Sequence, residues 1–264
     1  MLIIAERINT SRKNIYSAVD KKNTKFIQQE VINQVNAGAS MIDVNAGNNV
    51  NTEIDDLKWL IEIVNKETSV PICLDSPNSK AIKEILPISK NIGLINSITG
   101  DQKKMEEILP LIKEYNLSVV GLCMGEESIP EDVSGRLDAA QKIIKYAQEL
   151  KIPLEKIYLD PLVYPISTNT SYGLIIIETL NEIKKQFPEV KTITGLSNIS
   201  YGLPMRKLIN RTFLTMALMT GLDAAIIDPL DQNVMIILKS SLALLNKDEY
   251  CLNYINFCRE QIQI

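Results

Sequence analysis

Residues 41–75 read MIDVNAGNNVNTEIDDLKWLIEIVNKETSVPICLD and contain one complete repeat of the chain. Met41-Ile42-Asp43-Val44-Asn45 is an apolar run of strand length that breaks off on a carboxamide. Leu57, Leu60, Ile61 and Ile63-Val64 then recur at the three- and four-residue spacing of an amphipathic helix. Pro71 opens a second apolar run, Ile72-Cys73-Leu74-Asp75, which ends on a carboxylate. Strand, helix and strand in this order predict a right-handed βαβ unit with two parallel strands.

The same pattern continues on both sides. Leu2-Ile3-Ile4-Ala5-Glu6 precedes it, and Ile92-Gly93-Leu94-Ile95-Asn96, Ser118–Met124, Ile157-Tyr158-Leu159-Asp160, Thr192–Asn198 and Ala224–Asp228 follow, making eight runs. Between them lie helical stripes: Phe26, Ile27, Val31 and Val35 before Gly38; Met105, Ile108, Leu111 and Ile112; Leu137 to Ala147, starting near Ser134. Ile176 to Phe187 ends at Pro188, Pro204 to Thr220 stops at Gly221, and two further helical pieces follow Asn233. Eight strand–helix repeats in 264 residues predict an α/β fold of the closed (β/α)8 barrel type, one domain over residues 1–264. An open dinucleotide-binding sheet would carry a glycine fingerprint after its first strand, where this chain has Arg7-Ile8-Asn9.

Composition narrows the chemistry. The net charge of −4 provides no general attraction for nucleic acid or an anionic membrane. The best spanning candidate, Phe213 to Ile227, is interrupted by Gly221 and Asp223, and the strand-like start leaves no room for a signal peptide, so a cytoplasmic protein is expected. Four cysteines include no CxxC pair, and Cys73 and Cys123 read as buried free thiols. There is no histidine, which excludes His-based triads, HExxH metal sites and histidine ligation of a haem or corrin by these residues.

In such a barrel the C-terminal strand ends form the functional face, so Asn45, Asp75, Asn96, Asp160, Asn198 and Asp228 should converge there. Asp75, Asn96 and Asp160 together suit a flat heterocycle with an amino group, ring N–H groups and a carbonyl. No lysine ends a run, so a Schiff-base aldolase lacks its nucleophile. A magnesium or calcium site fits the same residue types, and helix capping is the plainer explanation for any one of them, as at Ser76-Pro77-Asn78.

The stretch Gly195-Leu196-Ser197-Asn198-Ile199-Ser200-Tyr201-Gly202-Leu203-Pro204-Met205-Arg206 is more specific than any carboxylate pair. With Ile4–Asn9, Cys73–Ser76, Ile95–Ser97, Leu159–Leu162, Leu208–Phe213 and Gly221–Ile226, it resembles the methyltetrahydrofolate:corrinoid protein methyltransferases along essentially the whole chain. That family shares its pterin-binding barrel with dihydropteroate synthase and cobalamin-dependent methionine synthase. The resemblance implies that Asp75, Asn96 and Asp160 hold the pterin ring of tetrahydrofolate or 5-methyltetrahydrofolate, that Gly195 and Ser197 line the pocket, and that Asn198 addresses N5. Arg206 is implied toward the aminobenzoate or glutamate end. Tyr201 stands where the acetogen enzymes carry Gln, and the Tyr-Gly-Leu-Pro form is closer to methionine synthase and the demethylation enzymes. The cobalamin is implied to sit on a separate partner, either a corrinoid iron–sulfur protein or the small corrinoid protein of a demethylase system. The apolar Phe213–Met219 stretch is core or, as in the family, part of a homodimer interface.

The expected reaction needs charge stabilisation at nitrogen as the methyl bond breaks, and Asn198 supplies it without histidine, the proton arriving through water. A dihydropteroate synthase would need cationic groups for pyrophosphate, including a lysine after the Asp-Pro strand, where this chain reads Leu162-Val163-Tyr164-Pro165. A non-catalytic pterin-binding subunit and a metal-dependent barrel lyase complete the alternatives.

Overall fold

The structure is a computed structural model that describes residues 1–125 and 129–262. Eight parallel strands, β1 (Leu2–Asn9), β2 (Met41–Asn45), β3 (Ile72–Asp75), β4 (Ile92–Thr99), β5 (Ser118–Leu122), β6 (Ile157–Asp160), β7 (Lys191–Gly195) and β8 (Ala224–Ile227), close in sequence order into a barrel. Around it run α1 (Lys13–Asp20), α2 (Thr24–Asn36), α3 (Glu53–Glu67), α4 (Ser79–Ile85), α5 (Gln102–Glu114), α6 (Val133–Glu149), α7 (Tyr172–Gln186), α8 (Arg206–Met219) and α9 (Gln232–Leu244), with α10 (Leu252–Ile262) against α9. The expected (β/α)8 barrel is the observed fold.

Strand alternation sorts the core into layers. Ile4, Met41, Cys73, Leu94, Val120, Tyr158, Ile193 and Ala224, one from each strand, form a cluster that fills the barrel interior. Residues of the opposite phase, such as Ala5, Ile42, Val44, Ile72, Leu74, Ile95 and Val119, join the larger cluster between barrel and helices. Because the side-chain period is two, the residues two positions beyond the interior plug also face inward. These are Glu6, Asp43, Asp75, Asn96, Leu122, Asp160, Gly195 and Ile226, followed by Asn45 and Asp228 one step higher.

The helices start on identifiable caps. Asn23, Asn78, Asp101, Asp132 and Asp231 each accept a backbone N–H from the first turn of α2, α4, α5, α6 and α9. Cys73 and Cys123 are buried free thiols, as their place in apolar runs implied.

Several element boundaries differ from the sequence reading. β1 runs to Asn9 and β4 to Thr99, each past a register shift that lets the strand continue beyond Glu6 and Asn96. β7 stops at Gly195, its last register partner to β8, and the chain turns into a 3-10 helix over Leu196–Ser200, so Asn198 sits in that turn and not on a strand end. The run from Ser118 ends as a strand at Leu122, short of Met124. The helix expected from Pro204 begins at Arg206, because Met205 takes left-handed backbone with φ 49° and breaks the turn. Two short helices, α1 and α4, had no apolar stripe in the sequence reading. Trp59 is half-buried against the core, under the Lys22 ammonium at 4.8 Å. No helix among the described residues is long and apolar enough to cross a membrane.

Candidate active site

The polar layer above the plug is the candidate site. Asp75 on β3 and Asn96 on β4 are direct register partners, so their side chains enter the lumen side by side. Asp43 on β2 lies below them at 2% exposure. Its carboxyl is held well above the usual carboxylate range, first by burial and then by the charge of Asp75, against contacts from Cys73 and Asn96. Its Oδ1 has no hydrogen-bond partner among the described residues. Asp75 is also raised, mainly by burial, while a hydrogen bond from Asn45 opposes the shift and Glu53 adds to it. Two carboxylates in one low-dielectric space do not readily ionise together, so the pair retains a proton to higher pH than an isolated group.

Asp160 enters from the far side of the mouth, on β6 opposite Leu122 in register. Burial pushes it up to about 7, against the lowering effect of the Leu162 N–H and the Arg136 guanidinium. Its Oδ1 accepts that N–H at 2.7 Å, which leaves the other oxygen for a ligand. Capping describes the Oδ1 of Asn78, which accepts from Lys80 and Ala81 in α4 while its Nδ2 donates to Glu53, and Asp160 holds its own loop rather than a helix start. Capping does not describe Asp75, which makes no cap contact with α4.

The 3-10 turn after β7 forms the third wall. A Cβ added at Gly195 would meet nothing within 4 Å, so this position borders open space above the plug. Asn198 is exposed, and its side chain has no hydrogen bond among the described residues. Ser197 contacts Glu6, whose carboxyl is raised by burial against the pull of Arg12, with the charge of Asp228 pushing it further up. Arg206 folds back on the turn, donating to Ser200 Oγ at 3.1 Å and to the Ser197 carbonyl at 2.6 Å, with its guanidinium 5.7 Å from the centre of the Tyr201 ring. In this position it braces the loop that carries Asn198. Tyr201 is 66% exposed at the rim. A cavity of about 330 Å³ opens on this flank, lined by Glu6, Ser197, Lys207, Asp228 and Asp231 among others.

The cations near the mouth are engaged. Arg7 pairs with Glu30 at 2.7 Å and with Asp228 at 3.0 Å, and Arg12 pairs with Glu6 at 2.8 Å. Asp228 also accepts the Leu230 N–H, and Asn45 accepts the Gly47 N–H, so both shape their own loops. No group of three or more His, Cys, Asp or Glu among the described residues is placed to hold a metal ion.

Two inward carboxyls lay unclaimed in the sequence. Glu6 was read only as a strand end and Asp43 only as the middle of a run. The signal for both is parity, since Asp43 is in phase with Asn45 and Glu6 with Ile4.

A sequence profile of the pterin binding enzymes matches residues 5–228. The methylcorrinoid:tetrahydrofolate methyltransferase of Eubacterium limosum is 32% identical over 98% of this chain and 97% of its own length. The methionine synthase of Mycobacterium tuberculosis is 27% identical over 86% of this chain, a match that takes in 20% of that longer protein. Among solved structures, a dihydropteroate synthase from Xanthomonas albilineans with 4-aminobenzoic acid superposes with a TM-score of 0.73 at 16% identity, covering 92% of each chain. That likeness concerns the fold.

Proposed function

Because the chain belongs to the family of pterin binding enzymes, we propose that it moves a methyl group between N5 of methyltetrahydrofolate and the cobalt of a corrinoid protein. The full-length relative is named for the direction from methylcorrinoid to tetrahydrofolate, which supports that physiological direction. Tetrahydrofolate is the substrate, and the corrinoid arrives on a partner, since these residues include no histidine to ligate it. A small corrinoid protein of a demethylase system suits this direction better than a corrinoid iron–sulfur protein.

The observation that carries the reading is the inward ring itself, in a chain related along its whole length to such an enzyme. Asp75, Asn96 and Asp160 present acceptors, and in the amide also a donor, to the amino, N–H and carbonyl edge of a pterin. Gly195 leaves room for the ring, and Ser197 borders it. Both amide groups of Asn198 are without a hydrogen-bond partner among the described residues. Its carbonyl accepts from a protonated N5, and its NH2 donates to the lone pair of a neutral one, so one residue serves both protonation states. In the proposed direction N5 attacks the methyl carbon, the cobalt–carbon electron pair stays with cobalt, and the N5 proton leaves. Glu6, a raised carboxyl in contact with the Asn198 loop, is placed to take that proton or return it.

Among the described residues the ring offers no free cation for a pyrophosphate leaving group, which weighs against dihydropteroate synthesis. Leu208, Met216 and Met219 are exposed along α8, beside a cavity of about 460 Å³ shared with α9, and this apolar face supports a homodimer. A site in the cytoplasm, with no membrane or nucleic-acid partner, accords with the acidic composition.

The test mixes the purified protein with 5-methyltetrahydrofolate and cobalamin reduced to the +1 state, and follows conversion to methylcobalamin by absorbance. Transfer with free cobalamin or a corrinoid protein is expected. Absence of transfer with either, together with dihydropteroate formation from a pterin pyrophosphate and 4-aminobenzoate, would refute it.

A further inference from the structure

Leu162 follows Asp160 by two residues and holds left-handed backbone with φ 64°, a conformation disfavoured for residues with a Cβ. Contacts on both sides keep it there. Its N–H donates to Asp160 Oδ1 at 2.7 Å, and its carbonyl accepts from Arg136 Nη1 at 2.8 Å. The same nitrogen donates to the Pro161 carbonyl, and Arg136 Nε donates to the Pro130 carbonyl at 3.1 Å. One guanidinium on the first turn of α6 therefore ties the end of the β5–α6 connection to the start of the β6–α7 loop.

Arg136 is 0% exposed, and no carboxylate among the described residues lies within ion-pair distance of it. Its Nη2 has no hydrogen-bond partner there. A buried guanidinium with an incomplete set of partners is a poor device for stability, because an apolar side chain of similar volume avoids the desolvation. What an apolar residue does not provide is a fork for three carbonyls and a positive charge behind Asp160.

We propose that Arg136 is a positioning residue of the pterin site: it clamps the Pro161-Leu162 backbone onto Asp160 and supplies the positive charge that keeps Asp160 in the carboxylate form a pterin edge requires. The inference rests on the pterin reading of the site.

The surrounding groups agree with this assignment. Asp160 faces Arg136 from α6 and Cys123 from the end of β5. Arg136 in turn faces Cys123, Tyr172 of α7 and Tyr164 of the β6–α7 loop. Burial pushes the Cys123 thiol up, so it stays uncharged. Against the burial that raises Asp160 stand the Leu162 N–H and the Arg136 charge. Both act through Arg136, one directly and one through the backbone it holds.

The experiment measures the Kd for tetrahydrofolate from about pH 5.5 to 9 on wild type, Arg136→Lys and Arg136→Met, with circular dichroism to confirm folding. Wild-type affinity should fall about tenfold per pH unit below the Asp160 midpoint near 7. Arg136→Met should raise the midpoint by about one unit, weakening binding about tenfold below it and little at the alkaline end. Arg136→Lys keeps the charge and loses the fork, so it should weaken binding evenly and raise the midpoint by well under a unit. A shift of the midpoint is not produced by loosened packing alone. A folded Met variant with the wild-type midpoint overturns the proposal. If the Met variant does not fold, a Lys variant whose midpoint moves by about a unit overturns it, and one whose midpoint moves by well under a unit supports it. Wild type that binds no tetrahydrofolate overturns the pterin reading and this inference with it, whereas wild-type binding together with an unmoved midpoint in the folded Met variant overturns this inference alone.

Discussion

Gly195 separates folding from function in a single substitution. Its backbone, φ −84° and ψ 112°, is ordinary extended chain that any residue adopts. Apart from its chain neighbours, a Cβ there would meet no atom of the described residues within 4 Å, so they raise no steric objection to a side chain. Replacing glycine at a compatible position reduces the freedom of the unfolded chain and stabilises by about 0.4–1 kcal/mol. For a protein of this size that is roughly 1–4 °C in Tm. Ligand binding should respond in the opposite sense. A ring resting on the Gly195 Cα at van der Waals contact, about 3.5–4.0 Å, would lie some 1.5 Å too close to a new Cβ pointing at it. Alanine must therefore displace the pterin by about an ångström, a misplacement that lowers transfer about 10²-fold. Isoleucine fills the space and should abolish tetrahydrofolate binding while retaining or raising Tm. Titration calorimetry and a thermal melt on Gly195→Ala and Gly195→Ile test both halves. An isoleucine variant that binds tetrahydrofolate within about threefold of wild type would show that the ring does not lie over Gly195. A clear drop in Tm would show that the space is needed for folding.

Three further outcomes follow from the same geometry. Asn198→Ala should lower the single-turnover methyl-transfer rate by about 10²-fold with folate affinity little changed, because its exposed amide holds no partner among the described residues; a rate near wild type removes it from the mechanism. Asp43→Asn should stabilise the protein increasingly with pH. The folded carboxyl is raised, so its contribution is fully present below the unfolded value near 3.9 and is lost as pH rises toward the folded value, at up to about 1.4 kcal/mol per unit. Denaturant melts at several pH values should show the variant gaining on wild type across that window, and parallel curves would refute the buried-carboxyl account. Met216→Lys on α8 should yield a monomer by light scattering with the barrel intact; an unchanged dimer would place the interface elsewhere.

How much of this was legible in the sequence depends on the range of the forces involved. The barrel was legible because strand and helix periodicities are local, and Leu57, Leu60, Ile61 and Val64 repeat on one face whatever lies beyond them. Asp75, Asn96 and Asp160 were legible because each terminates an apolar run. Asp43 was not, since apolar neighbours on both sides conceal an inward polar group unless parity is tracked through Met41, Asp43 and Asn45. The turn at Asn198 depends on where pairing between β7 and β8 runs out, a property of two strands far apart in sequence. Arg136 was invisible for a related reason. It lies on the first turn of an amphipathic helix, where an arginine reads as solvated surface, and only the fold shows that its side chain points inward to carbonyls about 25 residues away.

The electrostatics of the mouth connect recognition to reaction. Glu6, Asp43, Asp75 and Asp160 are all raised by burial, so the lumen holds fewer negative charges than it has carboxyls and takes up a proton readily. Such a space disfavours an anion, which weighs against a pyrophosphate-bearing substrate. It favours a ligand that brings N–H donors, and it favours positive charge at the position where that ligand reacts. Methyl transfer at N5 passes through such charge in either direction, as the nitrogen becomes a methylated ammonium or gives one up. The groups proposed to read the pterin sit on strands, Asp160 buried and Asp75 and Asn96 half-buried, whereas Asn198 lies exposed in a turn, where it would follow the changing protonation of N5. Affinity should therefore follow Asp75, Asn96 and Asp160, and rate should follow Asn198, so that the two sets of substitutions separate Kd from the transfer step.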